Sequence, residues 1–392
     1  MTLKPLSGVR VVEMSNMVTA SLSAMMLGGQ GAEVVKIEPL GIGDKLRWFG
    51  SQKKGISGVF NNCNRGKKSL AINLKSKKGL AAVRKIIDGA DVLLHNYRPG
   101  VMKKLGLDSA SLREHHPDLI VCSLTGFGRE GPLKDAPAFD HVVQALSGIT
   151  GAQGMDGNFE FIRMLVCDKI TAYTAAQAVS AALYHVAKTG EGQHMDISML
   201  QASLAFMWPD GMMHKTLLAG DAVHLAPMKA YYRLVETLDG FIAIAPFGDA
   251  HWTELFRIIE RPDMAANPKY ASLQSRGVCI AELMEDMAEP DPFMTNAEFL
   301  AKLRAADIPC APCLSDEDLL LDTQVAASGA IETQDHPHLG AVQMASAPVR
   351  FGGETPMPLG PSPLLGEHSA EILKSAGFSA QDISALKAAQ II

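Results

Sequence analysis

The sequence predicts an α/β protein, with a doubly wound parallel sheet in a large domain and a smaller α+β domain. Three observations carry this. An apolar run, Val9–Met14, a small-residue helical run, Thr19–Leu27, and a second apolar run, Ala32–Ile37, make a strand–helix–strand unit. The alternation returns in Lys68–Leu74, Gly79–Asp88, Val92–Leu94 and Leu119–Leu124. Composition then shifts across Pro209–Pro227, and Asp239-Gly240 between apolar runs predicts an antiparallel pair within Tyr231–Pro246. The expected division is 1–224 for the large domain, 225–330 for the small one, and 331–392 as a C-terminal segment returning to the large domain.

Each element has a local reason. Gly28, Gly29 and Gly31 close the first helix, and Glu38 opens a loop, EPLGIGD, ending at Asp44. The Ala-rich run after Asp168 has no Gly or Pro and predicts a helix over Lys169–Ala187. A turn at Thr189–Gly192, a strand at His194–Ile197 and a helix from Ser198 follow. The small domain should contain helices at His251–Ile259, Gly277–Ala288 and Asn296–Ala306, and the end of the chain a turn-rich stretch and a helix from Ser369.

Composition bounds the function. The 392 residues allow a sizeable core, and 47% hydrophobic with 20% charged residues suits a soluble enzyme. A net charge of −6 argues against a nucleic-acid partner. The start, MTLKPLSGVRVVEM, has no apolar core behind a basic head, and no run is long enough to span a membrane. Six scattered cysteines read as reduced thiols of a cytoplasmic protein.

Ligands of doubly wound sheets sit beyond the carboxyl ends of the strands, and three such ends carry chemistry. They are Ser15-Asn16-Met17-Val18, then His95-Asn96-Tyr97-Arg98-Pro99-Gly100 with Lys103 and Lys104, then Thr125-Gly126-Phe127-Gly128 leading to Gly131. Gly126, Gly128 and Gly131 spell G-x-G-x-x-G, but Pro132 and Pro137 bracket the following residues, so a loop follows instead of a helix. A nicotinamide cofactor is therefore excluded, and the glycines shape a loop. Arg98, Lys103 and Lys104 fit a solvated helix face or a phosphate-bearing ligand equally well.

Met164–Cys167 reads as a strand-like run leading into Asp168 and the long helix. Taken alone, Asp168 is better read as a helix cap than as a nucleophile, because caps are far commoner. Cys310-Ala311-Pro312-Cys313 lacks a second ligand pair for zinc and lies in an extended segment, so these are structural thiols. His336-Pro337-His338 reads as a loop, and no metal site is expected.

Eight stretches together resemble family III CoA transferases: LSGVRVVEMS, GAEVVKIEPLGIGD, NRGKKSLAINL, ADVLLHNYRPGVMKKLGL, SLTGFGREGP, FDHVVQALSG, GEGQHMDISML and LLGEHSAEIL. The resemblance covers nearly the whole chain and implies a Rossmann-like CoA-binding large domain and an interlocked homodimer. It matches Asp168 to the family's nucleophile. It implies that acyl-CoA contacts include Val18 near the active-site entrance, Asn96, Tyr97, Arg98, Lys104 and Leu105, with Gly126 and Gly128 in the adjoining loop. Val18 stands where some members carry Gln, and the glycine-rich lid of formyl-CoA transferases is missing between Gly220 and Gly240.

The implied reaction moves CoA between an acyl-CoA and a small carboxylic acid through an aspartyl-CoA thioester on Asp168, with no tightly bound cofactor. Amides at the start of the helix and in the glycine loop would serve the oxyanions. The family also holds α-methylacyl-CoA racemases, which pair this Asp with a His. Here Phe139 occupies the His position, and a phenyl ring moves no proton. Racemisation, and CoA transfer within one molecule as an isomerase, are the alternatives. A non-catalytic CoA-binding protein would bind without exchange.

Overall fold

A computed structural model describes residues 4–155, 157–223, 225–288, 292–354 and 358–392. Two compact units emerge: one of 1–150, 161–206 and 327–392, the other of 151–160 and 207–326. The divisions thus fall at 206/207 and 326/327 instead of 224/225 and 330/331, and a short excursion at 151–160 joins the smaller unit. The helix from Ser198 is present as α9 (Met199–Gly211) and runs through Pro209, where the composition shift begins.

The larger unit is built on six parallel strands: β1 (Arg10–Met14), β2 (Glu33–Pro39), β5 (Lys68–Ile72), β6 (Val92–His95), β7 (Ile120–Thr125) and β8 (His194–Ser198). Their spatial order is β5-β2-β1-β6-β7-β8, so the winding reverses between β1 and β6. A short hairpin, β3 (Gln52–Lys53) and β4 (Ile56–Ser57), separates β2 from β5.

Alternate residues of β1, β2, β6 and β7 enter opposite cores, which is why these strands read as largely apolar runs. Val12, Val35, Leu93 and Val121 pack with Val83, Ile86 and Ile87 of a helix spanning Lys77–Ile87. Val11, Val34, Leu94, Ile120 and Cys122 pack on the other face with α1 (Thr19–Gly29) and α8 (Val166–Thr189). The buried faces of α1 and α8 are small: Ala20, Ala24, Ala175, Ala176, Val179 and Ala182. Small side chains let both helices lie close to the sheet, so the start of α1 is tied closely to the end of β1.

The smaller unit has a three-stranded antiparallel sheet. The expected hairpin is present as β9 (Val235–Thr237) and β10 (Gly240–Ile244). The extended Cys310–Pro312 segment joins it as β11. Its core gathers Trp252, Leu255, Phe256, Leu283, Phe299 and Leu303. One expected helix, Gly277–Ala288, is two: Leu273–Val278, with a capping box at Ser272, and Ile280–Ala288. In the C-terminal segment an unexpected hairpin, β12 (Ile331–His336) and β13 (Gly340–Ala345), encloses Pro337 and His338 in its turn.

Candidate active site

Asp168 does not stand at the end of a strand. Residues 161–165 form turns, with Met164 N–H donating to Ile162 O, and α8 begins at Val166 with Leu165 as its cap residue. Asp168 is therefore the third residue of the helix, and no cap hydrogen bond forms from a side chain at the cap position. The run was apolar without being buried in the sheet: Met164 is 60% exposed. The helix-cap role falls to a neighbour instead. Asp140, first residue of α6 (Asp140–Ser147), accepts Asp168 N–H at 2.9 Å through Oδ2. Its Oδ1 accepts Gln144 Nε2 at 2.6 Å, and Gln144 also donates to the carbonyls of Ile162 and Met164 and accepts Ile162 N–H. This ties the turn before α8 to α6.

The Asp168 side chain is 9% exposed. Loss of water, and then the negative charge of Asp140, push its pKa from 3.8 up to about 7. Among the described residues no cation is paired with Asp168. The neighbouring Cys167 is no competitor, since burial pushes its thiol up to about 11 and keeps it protonated near neutrality. Asp140 is the residue whose role sequence reasoning missed. An acid opening an apolar helix was visible, but nothing in the order of residues says that it caps a helix 28 positions on.

The winding reversal between β1 and β6 creates the other part of the site. Asn96, after β6, accepts Asn16 N–H at 3.0 Å and donates to Asn16 O at 2.5 Å and to Thr19 Oγ1 at 3.1 Å. Its amide is thus spent on holding the turn after β1. Val18 is the residue before α1, and its side chain is buried against Leu46, Ile56, Phe60 and Cys63.

Beyond β6, β7 and β8 lies a cavity of about 500 Å³ lined by Tyr97, Arg98, Lys103, Lys134 and the ends of those strands. In its lining, Ser123 Oγ lies 2.9 Å from Nε2 of both His95 and His194. Arg129 reaches His194 Nε2 at 2.9 Å and Asp196 at 2.7 Å. A guanidinium only donates, so that His194 nitrogen is the acceptor. Burial pushes His95 down to about 4 and keeps it neutral.

The cavity brings Tyr97 and Arg98 together. Lys104, Leu105, Val18 and Asp168 are not in its lining. Lys103, and not Lys104, faces it, while Leu105 packs against the sheet core. Gly126 and Gly128 sit in the expected loop after β7. A side chain at Gly126 would strike Ala138 Cβ at 2.2 Å, and Gly128 adopts φ +91°, so both positions require glycine. Amides at the start of α8 are less free than expected, because Val166 and Asp168 N–H already have acceptors. Among the described residues no group of His, Cys, Asp or Glu is arranged to hold a metal, and no helix is long and apolar enough to cross a membrane.

A winding reversal at β1 and β6, and a buried uncompensated carboxylate on α8, meet a whole-chain match: the CoA-transferase family III profile aligns with residues 6–369. The chain belongs to CoA-transferase family III. A succinate–glutarate CoA-transferase of Agrobacterium fabrum is 31% identical over 388 residues, covering 94% of this chain and 95% of that protein. A succinyl-CoA:mesaconate CoA-transferase of Haloarcula marismortui is 32% identical over 389 residues, covering 95% and 96%. Among solved structures, Rv3272 of M. tuberculosis in its orthorhombic form has a TM-score of 0.81 at 29% identity, covering 94% of this chain and 99% of that one. The chain is thus a family III CoA-transferase, and acyl-CoA is the substrate of such enzymes.

Proposed function

We propose that the enzyme moves CoA between an acyl-CoA and a carboxylic acid through a thioester on Asp168. The observation that carries this is the uncompensated burial of Asp168: a carboxylate stripped of water, with no cation, is a strong nucleophile once ionised. Its oxygen attacks the donor thioester carbonyl, the C–S bond breaks, and a mixed anhydride and CoA thiolate result. The thiolate attacks the Asp168 carbonyl and releases the donor acid as its carboxylate. The acceptor carboxylate then attacks the aspartyl thioester, and the returning thiolate takes the acceptor acyl group and restores Asp168. No net proton or electron is required.

CoA lies along the strand ends, against Tyr97, Arg98 and the loop of Gly126 and Gly128, with Lys103 facing it where Lys104 was expected and Leu105 turned to the core. Support comes from the placement of Tyr97 and Arg98 in the cavity lining and from the obligate glycines of the loop. Asn96 and Val18 act through the turn that they hold. A second copy of the chain completes the enzyme as a homodimer. This accounts for the large apolar side chains exposed in the smaller unit, among them Leu218, Phe247 and Leu321.

Phe139, before α6, is 56% exposed and stacks on His141. It offers no base opposite Asp168, so the α-carbon should keep its hydrogen. The test incubates a panel of acyl-CoAs with succinate, glutarate and mesaconate, the acids in the relatives' names, in deuterated buffer. Mass spectrometry should find acceptor-CoA without deuterium at the α-carbon. Deuterium incorporation with no new acyl-CoA would overturn transfer in favour of racemisation.

A further inference from the structure

The turn after β1 is conspicuous in its backbone. Met17 adopts φ +66°, a region that side-chain-bearing residues rarely enter. Two anchors hold it. Asn96 fixes Asn16 from the side of β6, as described. On the other side, Asp44 Oδ1 accepts Met17 N–H and Leu46 N–H, each at 2.9 Å.

Asp44 is itself the end of a buried chain of charges. Its Oδ2 lies 2.9 Å from Lys36 Nζ, which reaches Glu13 Oε1 at 2.5 Å, and Glu13 Oε2 accepts Lys67 Nζ at 2.7 Å. Lys67 also donates to Ser21 O and Asn64 Oδ1, so its three protons have three acceptors. Ser15, in the turn, donates to Glu13 Oε1 at 2.5 Å. Glu38 accepts Asp44 N–H and is paired with Arg47. All of these charges are at least 97% buried.

A network of this kind is a weak source of stability, because desolvation offsets most of the Coulombic gain. What it does supply is direction. We infer that Asp44, oriented by Lys36, Glu13 and Lys67, is a positioning residue for CoA transfer: it holds the Met17 amide and so sets the 15–18 turn against which acyl-CoA binds. This rests on the proposed CoA site at the ends of β1 and β6.

A carboxylate serves the two amides with one oxygen and Lys36 with the other. The amide of Asp44→Asn has one acceptor oxygen and must abandon one side. The experiment measures steady-state CoA transfer and Tm for Asp44→Asn, for Asp44→Asn with Met17→Gly, for Ser15→Ala, and for Asp168→Asn. Asp44→Asn should raise KM for acyl-CoA about tenfold with kcat little changed, as for a misplaced binding element. Glycine enters positive φ unaided, so adding Met17→Gly should recover most of that loss. General damage to the fold would lower the active fraction and hence the apparent kcat, and glycine would not restore it.

If Asp44→Asn does not fold, Ser15→Ala, which removes the hydroxyl that links the turn to Glu13, Ser21 and Lys36, should still raise KM about threefold. Unchanged KM in the folded variants, or no recovery by Met17→Gly, would overturn the positioning role. An active Asp168→Asn would instead sink the aspartyl-thioester reaction, so the two failures are told apart.

Discussion

Two regions of the larger unit bury carboxylates, and they treat them in opposite ways. Glu13 is fully buried and touches two lysine ammonium groups, which hold its pKa far below the usual glutamate range despite the cost of burial. Asp168 is nearly as buried, faces another acid, and is pushed up to about 7. In the first region each acid has a cation, as folding requires of a charge removed from water. In the second the compensation is withheld, and the protein bears the cost of a poised group. Burial alone does not distinguish a structural carboxylate from a reactive one; the partner does.

The largest effect expected from disturbing this contrast is on the reaction. Asp168→Asn should lower transfer by at least about 1000-fold while acyl-CoA still binds, as measured by calorimetry, because the covalent step has lost its nucleophile. The paired region should respond in stability. Glu13→Gln leaves two buried lysines without their shared anion and should cost about 3–5 kcal/mol in denaturant unfolding. In the native protein the Glu13 contribution is present at neutral pH and is lost as pH falls below the ordinary glutamate range, since its folded pKa is lowered.

The unpaired region has the reverse sign. A raised folded pKa means that the fold favours protonated Asp168, so stability falls as pH rises from about 4 to about 7. Asp168→Asn should therefore stabilise the protein more at pH 8 than at pH 5, by up to about 4 kcal/mol at the upper end. A Tm gain independent of pH would contradict this. The smallest effect concerns Asp140, whose charge is the second cause of the shift. The ionised form of Asp168 is the active one, so kcat/KM should fall below about pH 7. Asp140→Asn should move that limb to lower pH by less than about one unit.

Much of the sheet was legible because both faces of its central strands are buried. Pairs such as Val11 with Val12 and Ile120 with Val121 send alternate side chains into two cores, and the result is an unbroken apolar run. The same logic misled at Met164–Cys167, where an apolar run is partly exposed and its end is already helical. Three-residue β11 was visible only as an extended piece, since its pairing with β10 joins Ile242 to Pro312.

The charge network was not legible at all. Nothing in the order of residues pairs Lys36 or Lys67 with an acid, and Lys67 meets Glu13 across 54 residues of chain. Asn96 was expected among the CoA contacts, and nothing in the sequence told that its amide would be consumed by Asn16 and Thr19. Pattern reports which face is buried; the partner of a buried charge is a fact of three dimensions.

In the proposed reaction Asp168 carries the CoA. The most direct measurement incubates the enzyme with an acyl-CoA and no acceptor, adds hydroxylamine, and maps the modified peptide by mass spectrometry. An aspartyl thioester is activated and should yield a hydroxamate on Asp168, and free CoA in place of acyl-CoA should yield none. A hydroxamate on Asp140 or Glu38 with Asp168 unmodified, or full turnover by Asp168→Ala, would contradict it.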